Sequence, residues 1–428
     1  DYTSGAADIS INYRGDGGYG VCRVVGYSSP TQVDIEVLTP FLGTEYSDNW
    51  VEGIWSAKQG WPTGIVFHKG RLWWAGKGRF VGSVSDDFEN FDPDFEGDAG
   101  PINRTLGAGP LDQINFMLSL GRLVIGTIGA EFSIKSNAID EPLTPQNCQA
   151  GDPSSIGSRK GCRAVKVDNR GIMVQRAGKR VFELVFSPDT YEYEPRDLTL
   201  LCPELTGSAK IVDVAVQRQP DTRIRFGLDD GRTAVLTYEP GEDVSCWSID
   251  SEGGSGIVEG VSVLPGNDED RVYLRVRRTI NGQTRRFLQK VALESECRGG
   301  TMNKQADAFI IVSNITGTVV SGLSHLEGKQ VVTWGSGKPL GTYTVTGGSI
   351  TLSEAVTATD VLVGLPYTAR YKSTKLAYGA AAGTALAQNK KPNLISAICG
   401  TVHNDGLYYG RDFNNLDPLP RMYDGRAV

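Results

Sequence analysis

Acidic residues stand side by side at two places in the sequence, where they could act as a general acid and a general base. Asp229 is followed by Asp230, and Asp268, Glu269 and Asp270 form a second group. Both groups stand between apolar segments, and Asp230-Gly231 is a pair typical of hairpin turns. Carboxylates in such turns usually accept hydrogen bonds from nearby backbone. The sequence therefore favours solvated turn residues over acid–base catalysis.

Metal-binding and nucleophilic motifs are missing from the sequence. The seven cysteines are scattered without a Cys-x-x-Cys pair, and only three histidines are present. We expect reduced thiols that pack as small core residues, as in a protein made in the cytoplasm. No Gly-x-Ser-x-Gly, Walker or His-Glu-x-x-His motif occurs, and His68 and His403 are expected to be packed or hydrogen-bonded. We predict a protein with no catalytic residue, metal ion or cofactor.

Five arginines lie on one predicted hairpin, where they could face DNA or an acidic neighbouring subunit. They are Arg275, Arg277, Arg278, Arg285 and Arg286. The net charge of −7 argues against a protein that grips DNA, because phosphate neutralisation supplies most non-specific affinity. It does not exclude DNA that slides past. We favour an exposed face whose charge is balanced by the acidic remainder of the chain.

The elements that position these residues are short strands that recur along the chain. One aliphatic residue marks each copy, and these are Leu72, Leu123, Ile172, Ile224 and Val272, at steps of 51, 49, 52 and 48 residues. A strand is predicted before each marker, at 64–67, 113–117, 163–167, 212–216 and 261–264, and another after it, at 79–81, 131–134, 180–184, 233–236 and 286–288. Several short strands per unit at this period predict the blades of a β-propeller in preference to a β-sandwich.

The pattern divides the chain into four parts. Residues 1–60 are predicted to be a partial N-terminal β domain and lead-in, and residues 61–304 propeller blades. Residues 305–368 are predicted to be an inserted small β-sandwich or barrel, and residues 369–428 a return to the propeller with a closing blade. The predicted fold is thus all-β, with about six blades. The first residue is not Met, as expected of a fragment or a processed form, and no apolar run approaches the ~20 residues of a membrane span.

Two copies of the pattern Asp-Phe-x-Asn-x-Asp-Pro support closure of the propeller. The first copy contains Asp87, Phe88, Asn90, Asp92 and Pro93, and the second contains Asp412, Phe413, Asn415, Asp417 and Pro418. Asp and Asn side chains bond to nearby backbone, and Pro ends a strand, so both copies are predicted to be turns. Equivalent turns in the first and last blades would explain the match.

Seven short motifs follow one another along the chain. They are residues 48–56 (DNWVEGIWS), 60–62 (GWP), 66–73 (VFHKGRLW), 85–91 (SDDFENF), 276–282 (VRRTING), 322–328 (GLSHLEG) and 363–367 (VGLPY). Together they resemble the propeller of bacteriophage tail nozzle proteins, also called tail tubular protein B. The resemblance runs from about residue 20 to about residue 420 and lies in the order of the motifs. Members of this family usually carry more sequence at the N-terminus.

The resemblance implies a structural protein of the virion that acts by assembly. It implies a hexameric nozzle below a tail adaptor protein, contacts to tail fibres, and a DNA channel between subunits that reads no sequence. The alternative is a glycan-binding or glycan-cleaving propeller that acts on a host surface. Residues 85–91 faintly resemble the aspartate boxes of sialidases but lack their Gly and Trp. A sialidase-like site would also need clustered arginines, an acid and a tyrosine nucleophile.

Overall fold

The structure is a computed structural model. It describes residues 9–15, 18–41, 43, 46, 50–56, 60–93, 95–107, 109–137, 141–297, 302, 304–372, 407–418, 422–423 and 426–427. Strands dominate these residues, and the described α-helix is a single turn, Glu294–Cys297. Two compact units are present. One comprises Asp1–Ser251 with Val258–Arg275, and the other comprises Glu252–Ile257 with Val276–Val428.

The first four strands form an antiparallel sheet. They are β1 (Ile9–Gly15), β2 (Gly18–Ser29), β3 (Gln32–Thr39) and β4 (Trp50–Glu52), in the spatial order β3-β2-β1-β4. This sheet lies in the part of the chain, residues 1–60, for which a partial N-terminal β domain was predicted. Strand β3 is therefore an edge strand, and all eight of its residues are exposed.

Four consecutive sheets follow, each a four-stranded antiparallel meander. Blade 1 contains β5 (Gly64–His68), β6 (Arg71–Gly76), β7 (Arg79–Gly82) and β8 (Ile102–Thr105); blade 2 contains β9 (Ile114–Ser119), β10 (Leu123–Thr127), β11 (Glu131–Lys135) and β12 (Gln149–Ser154); blade 3 contains β13 (Val165–Val167), β14 (Arg170–Val174), β15 (Val181–Ser187) and β16 (Glu192–Asp197); blade 4 contains β17 (Ile211–Gln217), β18 (Arg223–Leu228), β19 (Thr233–Glu239) and β20 (Val244–Asp250). In each blade neighbouring strands in the chain pair with one another, as in a propeller.

A fifth sheet has three strands among the described residues. These are β21 (Ile257–Leu264), β22 (Arg271–Ile280) and β23 (Gln283–Lys290), in that order. The turn between β22 and β23 is Asn281-Gly282, where both residues have positive φ (50° and 74°), the conformation that this pair favours. The predicted hairpin is confirmed at this position.

Each central blade buries both of its faces, against a different neighbour on each side. In β10, Leu123 and Ile125 pack with Trp73 of blade 1. The intervening Val124 points to the other face and packs with Met173 of blade 3. Because successive residues of a strand alternate between faces, a blade lies between two neighbouring blades. This arrangement is the radial packing of a β-propeller, and the all-β propeller fold is confirmed.

Burial shifts the repeat marker by one residue in blade 1. Leu123, Ile172 and Ile224 are fully buried, but Leu72 is only half-buried, and the fully buried residue is Trp73. The first step of the repeat is then 50 residues and not 51. The sequence pattern placed the marker on the first aliphatic residue, whereas the core is filled by the larger aromatic side chain beside it.

A separate sheet with its own core lies in the second unit. Its strands are β24 (Asp307–Ser321), β25 (Gln330–Gly335), β26 (Lys338–Thr344) and β27 (Ser349–Leu365), in the order β24-β27-β25-β26. Strand β27 is the longest of the four, with 17 residues. Val320, Leu326, Val331 and Val363 belong to the buried core of this sheet.

Two short hairpins complete the described chain. They are β28 (Tyr408–Asp412) with β29 (Asn415–Pro418), and β30 (Met422–Tyr423) with β31 (Arg426–Ala427). Most of residues 369–428, for which a closing blade was predicted, lie outside the described residues, so the sixth blade stays a prediction. No helix in the described part is long and apolar enough to span a membrane.

Candidate interaction surfaces and the links between blades

Polar side chains join the ends of the first strands of consecutive blades. His68 Nδ1 and Ser119 Oγ are hydrogen-bonded at 3.0 Å, and Lys166 Nζ donates to the Ser119 carbonyl at 2.9 Å. Arg218 Nη2 donates to the Lys166 carbonyl at 2.8 Å, and the Arg218 backbone N–H donates to Asp270 Oδ2 at 2.6 Å. A continuous series of bonds thus runs from blade 1 to the start of β22. We call these five residues the end belt.

A second series joins the starts of the same strands. Its bonds run from Thr63 Oγ1 to the Ile114 carbonyl (2.6 Å), from Asn115 Nδ2 to the Ser158 carbonyl (3.0 Å), from Arg163 Nε to the Val214 carbonyl (2.9 Å) and from the Val261 N–H to Asp213 Oδ2 (3.0 Å). In both series the partners lie 43 to 52 residues apart. The sequence period is therefore also the spacing of physical contacts between blades.

His68 is held neutral by its surroundings. Its side chain is buried, and burial together with the nearby charges of Lys69 and Lys166 lowers its pKa to about 4. A neutral imidazole can receive or donate one hydrogen bond at Nδ1, and here it does so with Ser119. As expected, His68 is hydrogen-bonded. His403 lies outside the described residues.

One buried constellation contains residue types that a glycosidase could use. Glu183 Oε1 accepts hydrogen bonds from the Tyr238 hydroxyl and from Arg170 Nη1, and Arg170 also donates to the Tyr238 oxygen at 3.1 Å. Glu183 and Tyr238 are only 4% and 3% exposed. Burial and the bond to Glu183 raise the pKa of Tyr238, so its hydroxyl stays protonated and donates to Glu183. The constellation links blades 3 and 4 and is closed to a polymeric substrate.

The paired acids accept hydrogen bonds from backbone N–H groups, within the turn for Asp230 and from distant parts of the chain for Asp229 and Asp270. Asp229 Oδ1 accepts from the Lys210 N–H at 2.8 Å, and Asp230 Oδ1 accepts from the Arg232 N–H at 3.1 Å. Asp270 belongs to the end belt. Among the described residues no group of three or more His, Cys, Asp and Glu side chains is placed to hold a metal ion.

The five arginines of the predicted basic face do not form one surface. Arg278 is 2% exposed, and its Nη2 donates to Glu252 Oε2 at 2.6 Å. Arg275 is exposed and donates to the Glu259 carbonyl at 2.8 Å, and Arg285 is exposed beside Gln283. Alternation along β22 separates Arg278 from Arg275 and Arg277. Arg278 is therefore wrong as a candidate DNA-facing residue, because the second unit buries and neutralises it.

The two copies of the turn motif share their residue types but form different turns. In the first copy Asn90 Oδ1 accepts from the Asp92 N–H at 3.0 Å, and Phe88 packs edge-to-face on Phe67, with ring centroids 5.1 Å apart. In the second copy Asp412 Oδ1 accepts from the Asn414 N–H at 2.9 Å and closes the hairpin between β28 and β29. Asp87, Pro93, Phe413, Asn415, Asp417 and Pro418 complete the two motifs.

Exposed apolar side chains gather on the N-terminal sheet. Val33, Ile35 and Val37 of β3 are 39%, 42% and 49% exposed, and Val25 and Tyr27 of β2 are about half exposed. A cluster of this kind on a sheet edge is typical of an interaction surface. The exposure of these side chains depends on what packs against them, so the sequence did not predict it.

The sequence pointed to His68 and Asp270 individually, but not to Ser119, Lys166 or Arg218, nor to the series of bonds that joins the end belt. The signal that could have found them is their position, because a polar residue stands at the start or end of the first strand in successive repeats. Of the cysteines, Cys148 and Cys162 are buried, and burial raises the pKa of their thiols to about 11 and about 12. The described residues contain no disulfide.

Comparison with known proteins adds nothing beyond distant structural likenesses. No protein-family model and no curated protein matches the sequence. A structure of BBS1N in complex with ARL6DN is 11% identical, with a TM-score of 0.32, over 82% of this chain and 89% of that one. A protein from Lactobacillus plantarum is 10% identical (TM-score 0.33; 84% and 99%), and Raptor from Chaetomium thermophilum is 10% identical (TM-score 0.30; 72% and 28%).

Proposed function

We propose that this chain is a non-enzymatic structural protein of a bacteriophage tail. In this proposal it is a component of the tail nozzle and, as a hexamer, forms part of the conduit through which DNA leaves the particle. The support from sequence is the ordered series of motifs between residues 48 and 367 that resembles tail nozzle proteins. In this proposal the chain is synthesised in the bacterial cytoplasm and is located in the virion.

The observation that supports the proposal most is that polar side chains of the blades form hydrogen bonds from one blade to the next. The residue types that an enzyme would need, such as His68, Asp270 and the pair Glu183 and Tyr238, are engaged in bonds between blades. Hydrogen bonds to buried charged groups contribute about 1.5–3 kcal/mol each. Such a network makes a rigid body, which suits a scaffold that must resist deformation while DNA passes.

The surface properties support assembly over catalysis. The exposed apolar strand β3 offers an edge to another chain, and the net charge of −7 suits a wall past which DNA slides. In this role DNA would contact the conduit without sequence recognition. The tail adaptor protein, tail fibres and further copies of the chain would be its partners.

Electron microscopy of the purified chain mixed with the tail adaptor protein tests the proposal. We expect a sixfold annulus on the adaptor ring, and we expect peptides of this chain in the purified particles by mass spectrometry. A chain that stays unbound beside assembled adaptor rings and is missing from particles would contradict the proposal.

Oligosaccharide arrays with the same preparation provide the second arm of the experiment. The nozzle proposal predicts neither retention nor cleavage of host-surface glycans. Specific binding of an oligosaccharide, lost on substitution of residues at one exposed site, would favour the glycan-recognising alternative instead.

A further inference from the structure

The loop between β20 and β21 belongs to the second unit, although the chain on both sides of it does not. Glu252–Ile257 lie in the second unit, whereas the chain up to Ser251 and from Val258 lies in the first. Residues 252–256 of this loop read EGGSG. A segment this rich in glycine loses much conformational entropy when it is ordered, so specific contacts must fix it. Those contacts lie within the second unit.

Arg278 of β22 fixes one side of the loop. Its Nη2 donates to Glu252 Oε2 at 2.6 Å, and its Nε donates to the Gly253 carbonyl at 3.4 Å. In the orientation that satisfies its hydrogen bonds, the Gln289 amide accepts from Arg278 Nη1 at 2.5 Å and donates to Glu252 Oε2 at 3.2 Å. The side chains of Arg278 and Glu252 are only 1% and 13% exposed. Separation of a buried ion pair is strongly destabilising, so these bonds fix the loop against β22 and β23.

The entry and the exit of the inserted sheet, β24–β27, contact the other side of the loop. Asp307 begins β24, Leu365 ends β27, and the two residues pair with one another. Asp307 Oδ2 accepts from the Gly253 N–H at 2.6 Å. A Cβ on Gly253 would lie 2.9 Å from the Pro366 carbonyl oxygen, and a Cβ on Gly254 would lie 2.9 Å from Leu365 Cδ1. Glycine therefore lets the loop approach the root of the inserted sheet this closely.

Two further residues of the second unit connect the inserted sheet to this region. Lys329, next to β25, donates from Nζ to the Gly254 carbonyl at 3.3 Å. His325 Nε2 is hydrogen-bonded to the Ala308 carbonyl at 3.3 Å, and burial together with the charge of Arg278 lowers the pKa of His325. Arg278 thus lies near the inserted sheet as well as in the fifth sheet.

We propose that residues 252–256 and Arg278 form a clasp that fixes the root of the inserted sheet, and that opening the clasp releases this root while the sheet stays folded. The inserted sheet has a core of its own, which includes Val331, Ile350 and Val363. Its fold therefore does not depend on the clasp. The inference does not need the phage role, because it rests on contacts within the second unit.

Hydrogen exchange of the full chain, measured by mass spectrometry, tests the clasp. Gly253→Ala adds one methyl group against the Pro366 carbonyl and changes no charge. We expect the amides of residues 252–257 and 305–310 to exchange at least about tenfold faster, because the loop and the root open together. Peptides from β25 and from the first half of β27 report on the core of the inserted sheet and should keep their rates within about twofold.

Gly241→Ala is the matched control. Gly241 lies in the turn Pro240–Glu242, and no described atom lies within 4 Å of the position that its Cβ would take. Its exchange rates and its melting temperature should equal those of the unsubstituted chain.

Arg278→Met tests the ion pair separately from the glycine contacts. The change removes the guanidinium from Glu252, and we expect the same two segments to exchange at least about tenfold faster. Addition of Glu252→Gln removes the uncompensated carboxylate and should restore part of the protection. Arg278→Lys keeps the charge but loses the planar fork, so its exchange rates should lie between those of Arg278→Met and the unsubstituted chain. If Arg278→Met unfolds the whole chain, the comparison of Gly253→Ala with Gly241→Ala decides.

Three results would overturn the proposal. In the first, Gly253→Ala exchanges like Gly241→Ala. In the second, residues 252–257 exchange faster while residues 305–310 do not, which would mean that the loop does not fix the root. In the third, the core of the inserted sheet loses protection as much as the root, which would make the clasp part of the fold of that sheet. Failure of the annulus experiment with the adaptor protein would leave this test unaffected.

Discussion

Blade 4 and the N-terminal sheet are built from the same kind of element and differ in what surrounds them. Each is a four-stranded antiparallel sheet with alternating apolar residues. Ile224 and Phe226 of blade 4 are fully buried, whereas Ile35 and Val37 of the N-terminal sheet are 42% and 49% exposed. Alternation therefore identifies a strand, and only the presence of a neighbouring sheet turns its apolar face into core.

The polar residues of the two regions also differ in their contacts with neighbouring sheets. In the blades they join one sheet to the next, as Asp270 does by accepting from the Arg218 and Gln219 backbone N–H groups at 2.6 and 3.2 Å. In the N-terminal sheet Arg23 and Glu36 form an exposed pair at 3.6 Å, a kind of contact that contributes about 0–1 kcal/mol. We expect substitutions in the two regions to separate clearly in effect.

The largest effect is expected for Phe226→Ala in blade 4. Phe226 is fully buried and packs on Trp247, with ring centroids 5.3 Å apart, in the core between blades 3 and 4. Truncation of a buried phenylalanine leaves a cavity and lowers the free energy of unfolding by about 3–5 kcal/mol. Chemical unfolding followed by circular dichroism measures the change. A shift under 1 kcal/mol would mean that this interface is not packed as described.

The second-largest effect is expected on the stability of the protein in acid, through His68 of the end belt. The pKa of His68 is lowered to about 4 by burial and nearby lysines, from 6.5. Below pH 6.5 the imidazole of His68 binds a proton in the unfolded chain but stays neutral in the folded protein. The free energy of unfolding therefore decreases as the pH falls from about 6.5 to about 4. At about 1.4 kcal/mol per pH unit the loss is roughly 3 kcal/mol. His68→Gln should unfold with a shallower pH dependence in this range, measured by urea titration at several pH values; an identical slope would contradict the buried neutral state.

A smaller effect is expected for Asp270→Ala, which removes one acceptor from the end belt. The backbone N–H groups of Arg218 and Gln219 lose their charged acceptor, and a hydrogen bond to a charged group contributes about 1.5–3 kcal/mol. Asp268→Ala is the matched control, since Asp268 is exposed two residues away. Equal melting temperatures for the two variants would show that the belt contributes nothing to stability.

The smallest effect is expected for Ile35→Ala in the N-terminal sheet. Ile35 is 42% exposed, and substitutions at exposed sites away from special features usually stay within about 0.5 kcal/mol. Chemical unfolding of the monomer, at low protein concentration, measures this. A loss as large as that of Phe226→Ala would mean that another part of the chain covers β3, and would remove the contrast between the two regions.

The sequence predicted the strands that carry a strong apolar or hairpin signal. First, second and third strands of the repeats were recognised, and so was the Asn281-Gly282 turn. The fourth strands were missed because they are mostly polar and exposed: β8 reads INRT, and β12 reads QAGDPS with a proline inside. Such outer strands bury little side chain, so their pairing leaves a weak pattern in the sequence.

By itself, then, the sequence determined that the chain is all-β and repeats at about 50 residues, because strand alternation and turn residues are local properties. The tertiary structure decided which residues those repeats bring together. It placed Trp73 and not Leu72 in the core, buried Arg278 beside Glu252, and formed a single 17-residue strand, β27. The physical reason is that burial, charge pairing and strand length depend on neighbours distant in the chain, and no local pattern contains them.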